Sequence, residues 1–352
     1  MDENSVMQLR QQVGDACRNK EPLDRDTITD LLDAVLDNQM PLADFEDWLA
    51  VSACRMPTAQ EVAGVVDALR RRMIPLHASV PSLIVDTCGT GGDGSGTFNI
   101  STATAIVVAA TGLPVAKHGN RAVSSKTGSA DVFEHFGVRL DIPLHLVADC
   151  LVQAGICFCY APAHHPAMAK VGAVRRRIGK PTVFNLVGPL CNPADVTVQV
   201  IGVGRPGAEP AVAEAAQLAG LKRALIVSSE DGVDEVGLFA PTHVIDVSGD
   251  ERKEMLWTPE DFGIKTAPES KREELLVANA TESAACIRRI LAGEVSPARD
   301  VVLLNAAAVL WAARRAASLP EARMLAEEAI DSKKAAETLD SLVRISQQVN
   351  RH

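Results

Sequence analysis

The sequence predicts an α/β protein in which a mainly parallel sheet is flanked by helices and accompanied by a smaller all-helical domain. Short apolar runs alternate with helical patterns beyond residue 83, and no strand candidate comes before that point. Strands that alternate with helices form parallel sheets whose two faces are covered. A glycine-rich loop follows the first apolar run, as in folds that bind phosphate at a helix N-terminus.

The helical domain is predicted over residues 1–75. Apolar residues recur every three or four positions between Thr27 and Arg72, which is the period of an amphipathic helix. Thr58 is expected to be the N-cap of the third helix in this region. Residues 75–81 begin and end with proline and should connect this domain to the rest of the chain.

Beyond the connector the chain alternates between strand and helix patterns. The expected strands are residues 83–85, 113–116, 156–160, 196–203, 224–227 and 243–247. Helices are expected at 130–136, 146–154 and 210–219, while residues 100–110 fit either a helix or a buried strand. From residue 273 the pattern is helical and rich in alanine. Ligands of such sheets bind beyond the carboxyl ends of the strands, so the loops there should form the site.

The glycine loop contains five glycines within eight positions: Gly89, Gly91, Gly92, Gly94 and Gly96. Glycine permits positive φ and close approach of a ligand, and a helix N-terminus adds unpaired donors. The loop lacks the Gly-x4-Gly-Lys-Ser/Thr order of a triphosphate loop. It fits a dinucleotide site poorly, because a cationic cluster stands where an acid is expected about twenty residues later. We therefore predict a phosphate or diphosphate site.

A second polar loop, residues 117–131, follows the next predicted strand. Lys117 and Arg121 can neutralise phosphate, and Ser124 and Ser125 can orient it. Ser129 is expected to cap the next helix, with contact to a ligand as the alternative. The net charge of −10 argues against a nucleic-acid partner, so an anionic substrate must be attracted by such local groups.

Two later segments could contact a second substrate. His164 and His165 are adjacent and point in different directions, so an aromatic-binding rim is favoured over a metal site. Residues 175–177 are three arginines that splay around a helical stretch, so at most one should face a pocket. Cys88 in the glycine loop is considered as a nucleophile, but no base partner is evident.

Asp234 and Glu235 belong to an acidic cluster just beyond a predicted strand. Carboxylate oxygens suit Mg²⁺, which bridges protein acids and substrate phosphates, while a solvated acidic turn is the alternative. No Ser-His-Asp order, nucleophile elbow or paired-carboxylate pattern of a hydrolase stands out. Chemistry without a protein nucleophile fits best, such as displacement of diphosphate from an activated ribose.

Composition indicates the setting in which the protein works. No basic and apolar leader begins the chain, and no run of about eighteen apolar residues occurs. We therefore expect a cytoplasmic protein without a membrane span. Eight scattered cysteines without Cys-x-x-Cys spacing are expected to be buried free thiols.

Six motifs stand in a fixed order along the chain: Gly89-Thr-Gly-Gly-Asp93-Gly with residues 97–102, Lys117-His-Gly-Asn-Arg121 with residues 124–131, His165-Pro-Ala-Met168, Val174-Arg-Arg176, Phe184-Asn-Leu-Val-Gly-Pro189 and Asp231-Gly-Val-Asp-Glu235. Together they resemble the anthranilate phosphoribosyltransferase family. The likeness implies transfer of the phosphoribosyl group of phosphoribosyl diphosphate to anthranilate, a step of tryptophan biosynthesis.

The resemblance also implies an architecture, that of nucleoside phosphorylase/phosphoribosyltransferase-like proteins. An α/β domain would span residues 80–166 and 190–352. Helices near 167–189 would join the N-terminal helical domain, and a homodimer would form through that helical part.

The resemblance implies a set of site residues. Mg²⁺ would be the cofactor, held by Ser101, Asp234 and Glu235. The donor would contact Gly89, Gly92, Asp93, Thr97, Asn99, Ile100, Ser101, Thr102, Lys117, His118, Gly119, Asn120, Arg121, Ala122, Val123, Ser124, Ser125 and Ser129. Anthranilate would meet Asn120 and Arg175 and pass residues His118, His165 and Met168. None of these is expected to act as a nucleophile; positioning would fall to Lys117, His118, Asn120 and Arg175.

Three residues depart from the family pattern on the acceptor side: His164 where an aromatic is frequent, Ala173 for a proline and Pro181 for an arginine. Two alternative functions stay open. One is a pyrimidine nucleoside phosphorylase-like enzyme, whose glycine and lysine motifs look different from these. The other is a non-catalytic protein that binds phosphoribosyl diphosphate, and the presence of Asn120 and Arg175 argues against it.

Overall fold

A computed structural model describes residues 1–80, 83–122 and 126–348 of the chain. Its strands, numbered along the sequence, are β1 (Val85–Asp86), β2 (Val115–Gly119), β3 (Ile156–Tyr160), β4 (Val198–Gly202), β5 (Arg223–Ser229), β6 (Thr242–Ser248) and β7 (Glu251–Trp257). They form one sheet in the order β3-β2-β1-β4-β5-β6-β7. The first five strands in that order are parallel, and β6 and β7 are antiparallel. The predicted mainly parallel sheet is therefore confirmed.

The helices of the described residues flank this sheet and form the start of the chain. They are α1 (Glu3–Asn19), α2 (Arg25–Leu36), α3 (Leu42–Ser52), α4 (Ala59–Arg70), α5 (Ile100–Ala110), α6 (Ser129–Phe136), α7 (Leu144–Ala154), α8 (Ala161–His164), α9 (Met168–Ile178), α10 (Glu209–Leu218), α11 (Ala280–Leu291), α12 (Pro297–Ala312), α13 (Leu319–Asp331) and α14 (Lys334–Ser346). Residues 100–110, left open by the sequence, form a helix. Within these ranges, no helix is both long and apolar enough to cross a membrane.

The helical start of the chain follows its apolar periodicity, with one addition. Thr58 caps α4 as predicted, in a reciprocal capping box with Glu61. The sequence did not predict α1, because its 17 residues bury only Leu9, Val13 and Ala16. Such a narrow apolar stripe gives a weak periodic signal.

Of the two strands in the hairpin of β6 and β7, the sequence predicted β6 and not β7. β7 gave no strand signal because most of its side chains are exposed and its first four residues are charged. Backbone pairing with β6 forms it, after a turn in which Gly249 takes a φ of 58°. An edge strand with charged side chains resists pairing with other chains.

Two hydrophobic cores lie on the two faces of the sheet. In β4 and β5, Val200 and Leu225 belong to one core and Ile201 and Ile226 to the other, which is the two-residue period of a strand. The first core includes α5 and α12. The second joins α1–α4 to apolar residues between positions 171 and 191. The segment around α9 therefore packs with the N-terminal helices.

The strand order places a crevice beside β1. Chain connections lead from β1 towards β2 on one side, while β4 pairs with its other edge. This reversal of order creates a gap at the carboxyl ends of the strands, where ligands of open α/β sheets bind. The glycine loop crosses this gap, since the Thr90 amide donates to the Gly202 carbonyl at the end of β4 (2.8 Å).

Candidate active site

The glycine loop connects β1 to α5 and leaves its backbone open. Gly91, Gly92 and Gly94 have φ values of 66°, 81° and 73°, and a Cβ built on any of them would meet nothing within 4 Å. Gly89 serves a different purpose, because a Cβ there would lie 2.8 Å from the Asp234 carboxylate. The loop thus combines a closely packed first glycine with an accessible stretch of main chain.

The N-terminus of α5 keeps spare donor groups. The Asn99 carbonyl accepts from the Thr102 and Ala103 amides, both at 3.1 Å. Asn99 gives this helix no side-chain cap, and the Ser101 amide has no acceptor among the described residues. The Thr102 hydroxyl is buried and also without a partner there. Spare donors at a helix N-terminus suit a phosphate group.

The first group of residues that were predicted to contact the donor substrate therefore lies together, from Gly89 to the first turn of α5. Thr97 shares a hydrogen bond between hydroxyls with Ser95 (3.1 Å) and pairs with Leu276 through an isolated bridge. Ile100 is buried in the core and can offer only its main chain. Contact of each of these residues with the donor substrate stays a prediction.

Asp86 was missed by the sequence reasoning, although it lies at the end of β1. Its buried carboxylate accepts from the amides of Thr87 (2.7 Å) and His118 (3.2 Å) and from Nδ2 of Asn192 (2.8 Å). Burial raises the pKa of Asp86, and the charge of Lys117 opposes that rise. This carboxylate ties β1 to β2 and to the segment before β4. The sequence signal that could have identified Asp86 is an acid at the end of an apolar run.

Lys117, His118 and Gly119 lie inside β2, which corrects the prediction that they belong to a loop. The strand extends three residues further than expected because each of them pairs with a residue of β3. Lys117 is buried, and its Nζ donates to the His118 carbonyl (3.0 Å). These residues reach the carboxyl edge as the rigid end of a strand.

His118 is held as a neutral imidazole. Its Nδ1 lies 3.0 Å from the Gly188 carbonyl oxygen, and its buried Nε2 has no partner in the described part of the chain. Burial lowers the pKa of His118 to about 3, with further contributions from the nearby His165 and Lys117. The Gly188 carbonyl fixes the proton on Nδ1, so Nε2 presents an acceptor.

The second polar loop holds fewer free cations than predicted. Val123, Ser124 and Ser125 lie outside the described residues. Arg121 forms an ion pair with Glu134 and lies over the Tyr160 ring at 5.9 Å, so its guanidinium is already engaged. Lys126, which the predicted set omitted, is exposed, and its Nζ lies 3.5 Å from a Cβ built at Gly96 in the glycine loop.

Ser129 is not the N-cap of α6, which corrects the prediction. Gly128 occupies that position, and the Asp131 carboxylate accepts from the amides of Gly128 and Ala122, both at 3.0 Å. Ser129 is the first helical residue, and its hydroxyl donates weakly to the Asn120 carbonyl at 3.5 Å. Gly128 is needed here because a Cβ would overlap the backbone of residues 121 and 122.

Three carboxylates converge beside the glycine loop. Asp93, Asp234 and Glu235 each place an oxygen so that all three lie within 4.8 Å of one another. Oδ2 of Asp93 and Oε2 of Glu235 are buried with no partner among the described residues. Burial, followed by the charge of Asp93, raises the pKa of Asp234 to about 6, and burial also raises that of Glu235.

This cluster fits a divalent cation. Buried like charges repel unless a cation or proton neutralises them, and Mg²⁺ takes carboxylate oxygens together with substrate phosphates. The predicted pair Asp234 and Glu235 is brought together, and the structure adds Asp93, which was predicted only as a donor contact. Ser101 begins α5, and its part in metal binding stays a prediction.

Distant residues hold the acidic loop in place. Asp234 Oδ2 accepts from the Gly91 amide (2.9 Å). Gly202 must lack a side chain, because a Cβ there would overlap the Asp234 carbonyl. Asn305 of α12 accepts from the Val236 amide (2.9 Å) and donates to its carbonyl (3.0 Å), next to Glu235. The sequence did not predict this contact of Asn305.

The histidines near α8 are anchored to the main chain. A ring nitrogen of His164 lies 2.8 Å from the Ile74 carbonyl oxygen, and one of His165 lies 2.9 Å from that of Cys191. Burial lowers the pKa of both. The His118 and His165 rings are 5.4 Å apart, and Met168 begins α9 three residues later. His165 and His118 thus form a buried aromatic pair beside Gly188.

Among the three arginines of α9, Arg175 differs from its neighbours. Arg176 is exposed, and Arg177 forms an ion pair with Glu46. Arg175 is partly buried over the Phe184 ring (5.6 Å) and forms no ion pair with any described residue. Burial lowers its pKa. An unpaired, partly desolvated guanidinium is suited to a carboxylate ligand.

The cysteines differ in their burial. All eight cysteines are free and five are buried, while Cys54 is exposed and Cys17 and Cys88 are intermediate. Burial raises the pKa of Cys88 to about 12, so it is not a thiolate nucleophile.

Of the departures on the acceptor side, Ala173 is partly buried within α9 and Pro181 is exposed beyond it.

Comparison with known proteins identifies relatives over most of the chain. A family model described as "Glycosyl transferase family, a/b domain" matches residues 82–336. The anthranilate phosphoribosyltransferase of Thermomicrobium roseum is 45% identical over 327 residues, which cover 92% of this chain and 93% of that protein.

Solved structures show the same likeness. The anthranilate phosphoribosyltransferase of Thermus thermophilus has a TM-score of 0.87 and 37% identity, covering 95% of this chain and 99% of that one. The Saccharomyces cerevisiae anthranilate phosphoribosyltransferase in complex with PRPP and Mg shares the fold, with a TM-score of 0.85 at 24% identity and 99% of both chains covered.

Proposed function

The chain belongs to the anthranilate phosphoribosyltransferase family, and from this we propose that it transfers the phosphoribosyl group of phosphoribosyl diphosphate to anthranilate. The products are N-(5-phosphoribosyl)anthranilate and diphosphate, in tryptophan biosynthesis. The structural observation that supports this most is the group of three carboxylates beside an open glycine loop, at the gap between β1 and β4. Phosphate-binding main chain and acids that hold a cation are the two requirements of a diphosphate leaving group.

The reaction needs no protein nucleophile. The anthranilate nitrogen forms a bond to C1 of the ribose, the bond from C1 to diphosphate breaks, and its electron pair leaves with the diphosphate. The nitrogen then releases its proton to water or diphosphate. Asp93, Asp234 and Glu235 would hold Mg²⁺, which when bound supplies positive charge for the leaving group. The protein contributes mainly by binding and orienting both substrates.

We assign the binding of phosphoribosyl diphosphate, the donor substrate, to the glycine loop, the first turn of α5 and the end of β2. Lys117 and Lys126 would supply positive charge, and Gly91 and Gly92 would supply open main chain. Because Arg121 is paired with Glu134, its contribution would be through the backbone.

We assign the acceptor to the side of α9. Arg175 would bind the carboxylate of anthranilate, because its guanidinium has no competing ion pair among the described residues. His118, His165 and Met168 would line the path of the aromatic ring, and neutral imidazoles there avoid repelling Arg175. Asn120 would orient the amine.

A fluorescence assay tests the function. Anthranilate fluorescence should fall when the protein is mixed with phosphoribosyl diphosphate and Mg²⁺. Glu235→Gln should abolish most of this turnover, while Glu230→Gln, which changes an exposed carboxylate on the same loop, should retain it. A folded wild-type protein that leaves the signal unchanged contradicts the proposal, and phosphorolysis of thymidine would then support a nucleoside phosphorylase.

We further propose a homodimer formed through the helical part and a cytoplasmic location. The helical part would comprise residues 1–75 with the helices near 167–189, and the α/β domain residues 80–166 and 190–352. The shared core of α1–α4 with residues 171–191 supports this division. Sedimentation equilibrium should give twice the mass of one chain.

A further inference from the structure

The N-cap residue of α5 is held by a serine from a distant part of the chain. Ser283 lies in α11, is fully buried, and its Oγ accepts from the Asn99 amide (2.9 Å). The same Oγ donates to Oδ1 of Asn99 (2.8 Å). A hydroxyl has one proton to donate, so Ser283 uses it on this oxygen.

The Asn99 side chain is thereby given one orientation. Its Oδ1 accepts from Ser283 and also from the Thr127 hydroxyl (3.0 Å), which occupies both lone pairs of the carbonyl oxygen. Rotating the amide by 180° would require both hydroxyls to accept from Nδ2 and would leave their protons without this oxygen as acceptor. The Nδ2 group therefore stays available as a donor for a ligand of the glycine loop.

The backbone around Ser283 reinforces this contact. Just before α11, the Leu275 carbonyl accepts from the Phe98 amide (2.8 Å), and the Val277 amide donates to the Gly96 carbonyl (3.0 Å). The end of the glycine loop is thus clamped by a segment that lies far later in the chain. Ser283 is the side chain of this clamp that reaches Asn99.

We propose that Ser283 is a positioning residue for donor binding, acting through Asn99, an inference that rests on the proposed function. Ser283 fixes the Asn99 amide so that Nδ2 faces the phosphate-binding end of α5. It touches neither substrate. Its loss removes one of the two hydroxyl donors that orient the amide and leaves the Asn99 N–H without its acceptor. Phosphoribosyl diphosphate must then order both groups when it binds.

The experiment compares two buried serines in the full-length protein. Ser346 is a matched control: it is also fully buried, its Oγ accepts from a distant amide, that of Arg139 (3.1 Å), and donates to a carbonyl, that of Val343 (2.8 Å). Calorimetric titration with phosphoribosyl diphosphate and Mg²⁺ gives donor affinity. Steady-state assays give the KM of anthranilate.

Ser283→Ala should weaken donor binding about 5- to 20-fold and leave the anthranilate KM within about twofold of the wild type. Ser346→Ala should lose similar thermal stability but keep wild-type donor affinity. A double-mutant cycle adds a second readout, since Ser283→Ala combined with Asn99→Ala should bind the donor no more weakly than Asn99→Ala alone.

Three results overturn the inference: unchanged donor affinity in Ser283→Ala, an equal loss in Ser346→Ala, or losses that multiply in the double variant. A wild-type protein that binds the donor but never turns over anthranilate contradicts the proposed function alone, and the serine comparison still decides the inference. A wild-type protein that turns over normally while Ser283→Ala binds the donor equally well contradicts the inference alone.

Discussion

At the scale of single residues, several charged side chains of this site have no oppositely charged partner among the described residues. Three acids face one another, and two of them, Asp93 and Glu235, have a buried oxygen without a partner in the described chain. Arg175 forms no ion pair with a described residue. Each such group carries a desolvation cost that only a partner of opposite charge removes. The proposed Mg²⁺ would supply the opposite charge for the acids, and the carboxylate of anthranilate would supply it for Arg175.

Replacing Asp234 should expose this cost. Burial holds its pKa at about 6, above the ordinary value of 3.8, so the folded state binds its proton more tightly than the unfolded state does. The wild type therefore loses stability as pH rises from about 4 to 6 through this group. Without divalent cations, Asp234→Asn should be more stable than wild type at pH 7 by about 1–3 kcal/mol, and this gain should vanish near pH 4.

Urea unfolding in EDTA at pH values from 4 to 7 measures that difference, and comparing variants cancels the contribution of the buried histidines. Glu230→Gln is the control, because its carboxylate is exposed. Added Mg²⁺ should stabilise the wild type and not Asp234→Asn. A stability difference that does not change with pH would rule out this account of Asp234.

Removing Arg175 should affect one substrate only. Arg175→Ala loses a charge-assisted contact to the acceptor carboxylate, so the KM of anthranilate should rise about tenfold or more. The KM of phosphoribosyl diphosphate should not change. Arg176→Ala, an exposed neighbour on the same helix, should leave both values unchanged. Steady-state kinetics decide this, and equal rises for both substrates would refute the assigned role.

At the scale of elements, the site depends on the close approach of strand ends and loops. β1 delivers the glycine loop, β2 delivers Lys117, and the loop after β5 delivers two acids. Glycines allow these segments to touch: Gly89 faces the Asp234 carboxylate, and Gly202 faces its carbonyl. Asn305 of α12 then fixes the backbone beside the acids from the other side.

Adding one methyl group at the end of β4 should disturb this arrangement. In Gly202→Ala the new Cβ overlaps the Asp234 carbonyl, so the acidic loop must move. We expect a loss of about 1–3 kcal/mol in the free energy of unfolding and at least about tenfold weaker donor binding with Mg²⁺. Gly14→Ala on α1 has room and serves as the control. Wild-type donor affinity in Gly202→Ala would contradict this packing argument.

At the scale of the whole molecule, Arg70 connects the helical part to the α/β part through two hydrogen bonds. Arg70 at the end of α4 donates to the carbonyls of Leu190 (2.8 Å) and Ala219 (2.6 Å). One lies before β4 and the other just after α10. This side chain therefore links the N-terminal helices to two segments that are distant in the sequence.

Arg70→Ala should destabilise the protein by about 1.5–3 kcal/mol, because two carbonyls lose a charged donor. Arg71→Ala is the matched control, since its exposed ion pair with Asp33 should contribute less than about 1 kcal/mol. Urea unfolding of both variants gives the comparison. Equal losses would show that Arg70 is not a structural link between these parts.

The sequence by itself determined the fold class and the acidic pair, and it predicted a phosphate-binding role for the first loop. These follow from local patterns: period two against period three to four, clustered glycines, and adjacent carboxylates. It missed α1 and β7, whose side chains bury too little to leave a periodic signal. It misplaced the end of β2 and the cap of α6, because pairing with β3 and the contact between Gly128 and residues 121 and 122 are not local.

Only the tertiary structure decided which residues meet. It brought Asp93 to Asp234 and Glu235, engaged Arg121 with Glu134, and left Arg175 unpaired among the described residues. It also revealed Asp86 and Ser283, whose partners lie elsewhere in the chain: His118 and Asn192 for Asp86, and Asn99 for Ser283. A pattern read along the chain reports the environment of a residue only through its near neighbours. Charge pairing and hydrogen bonding depend on distances in space, which folding alone sets.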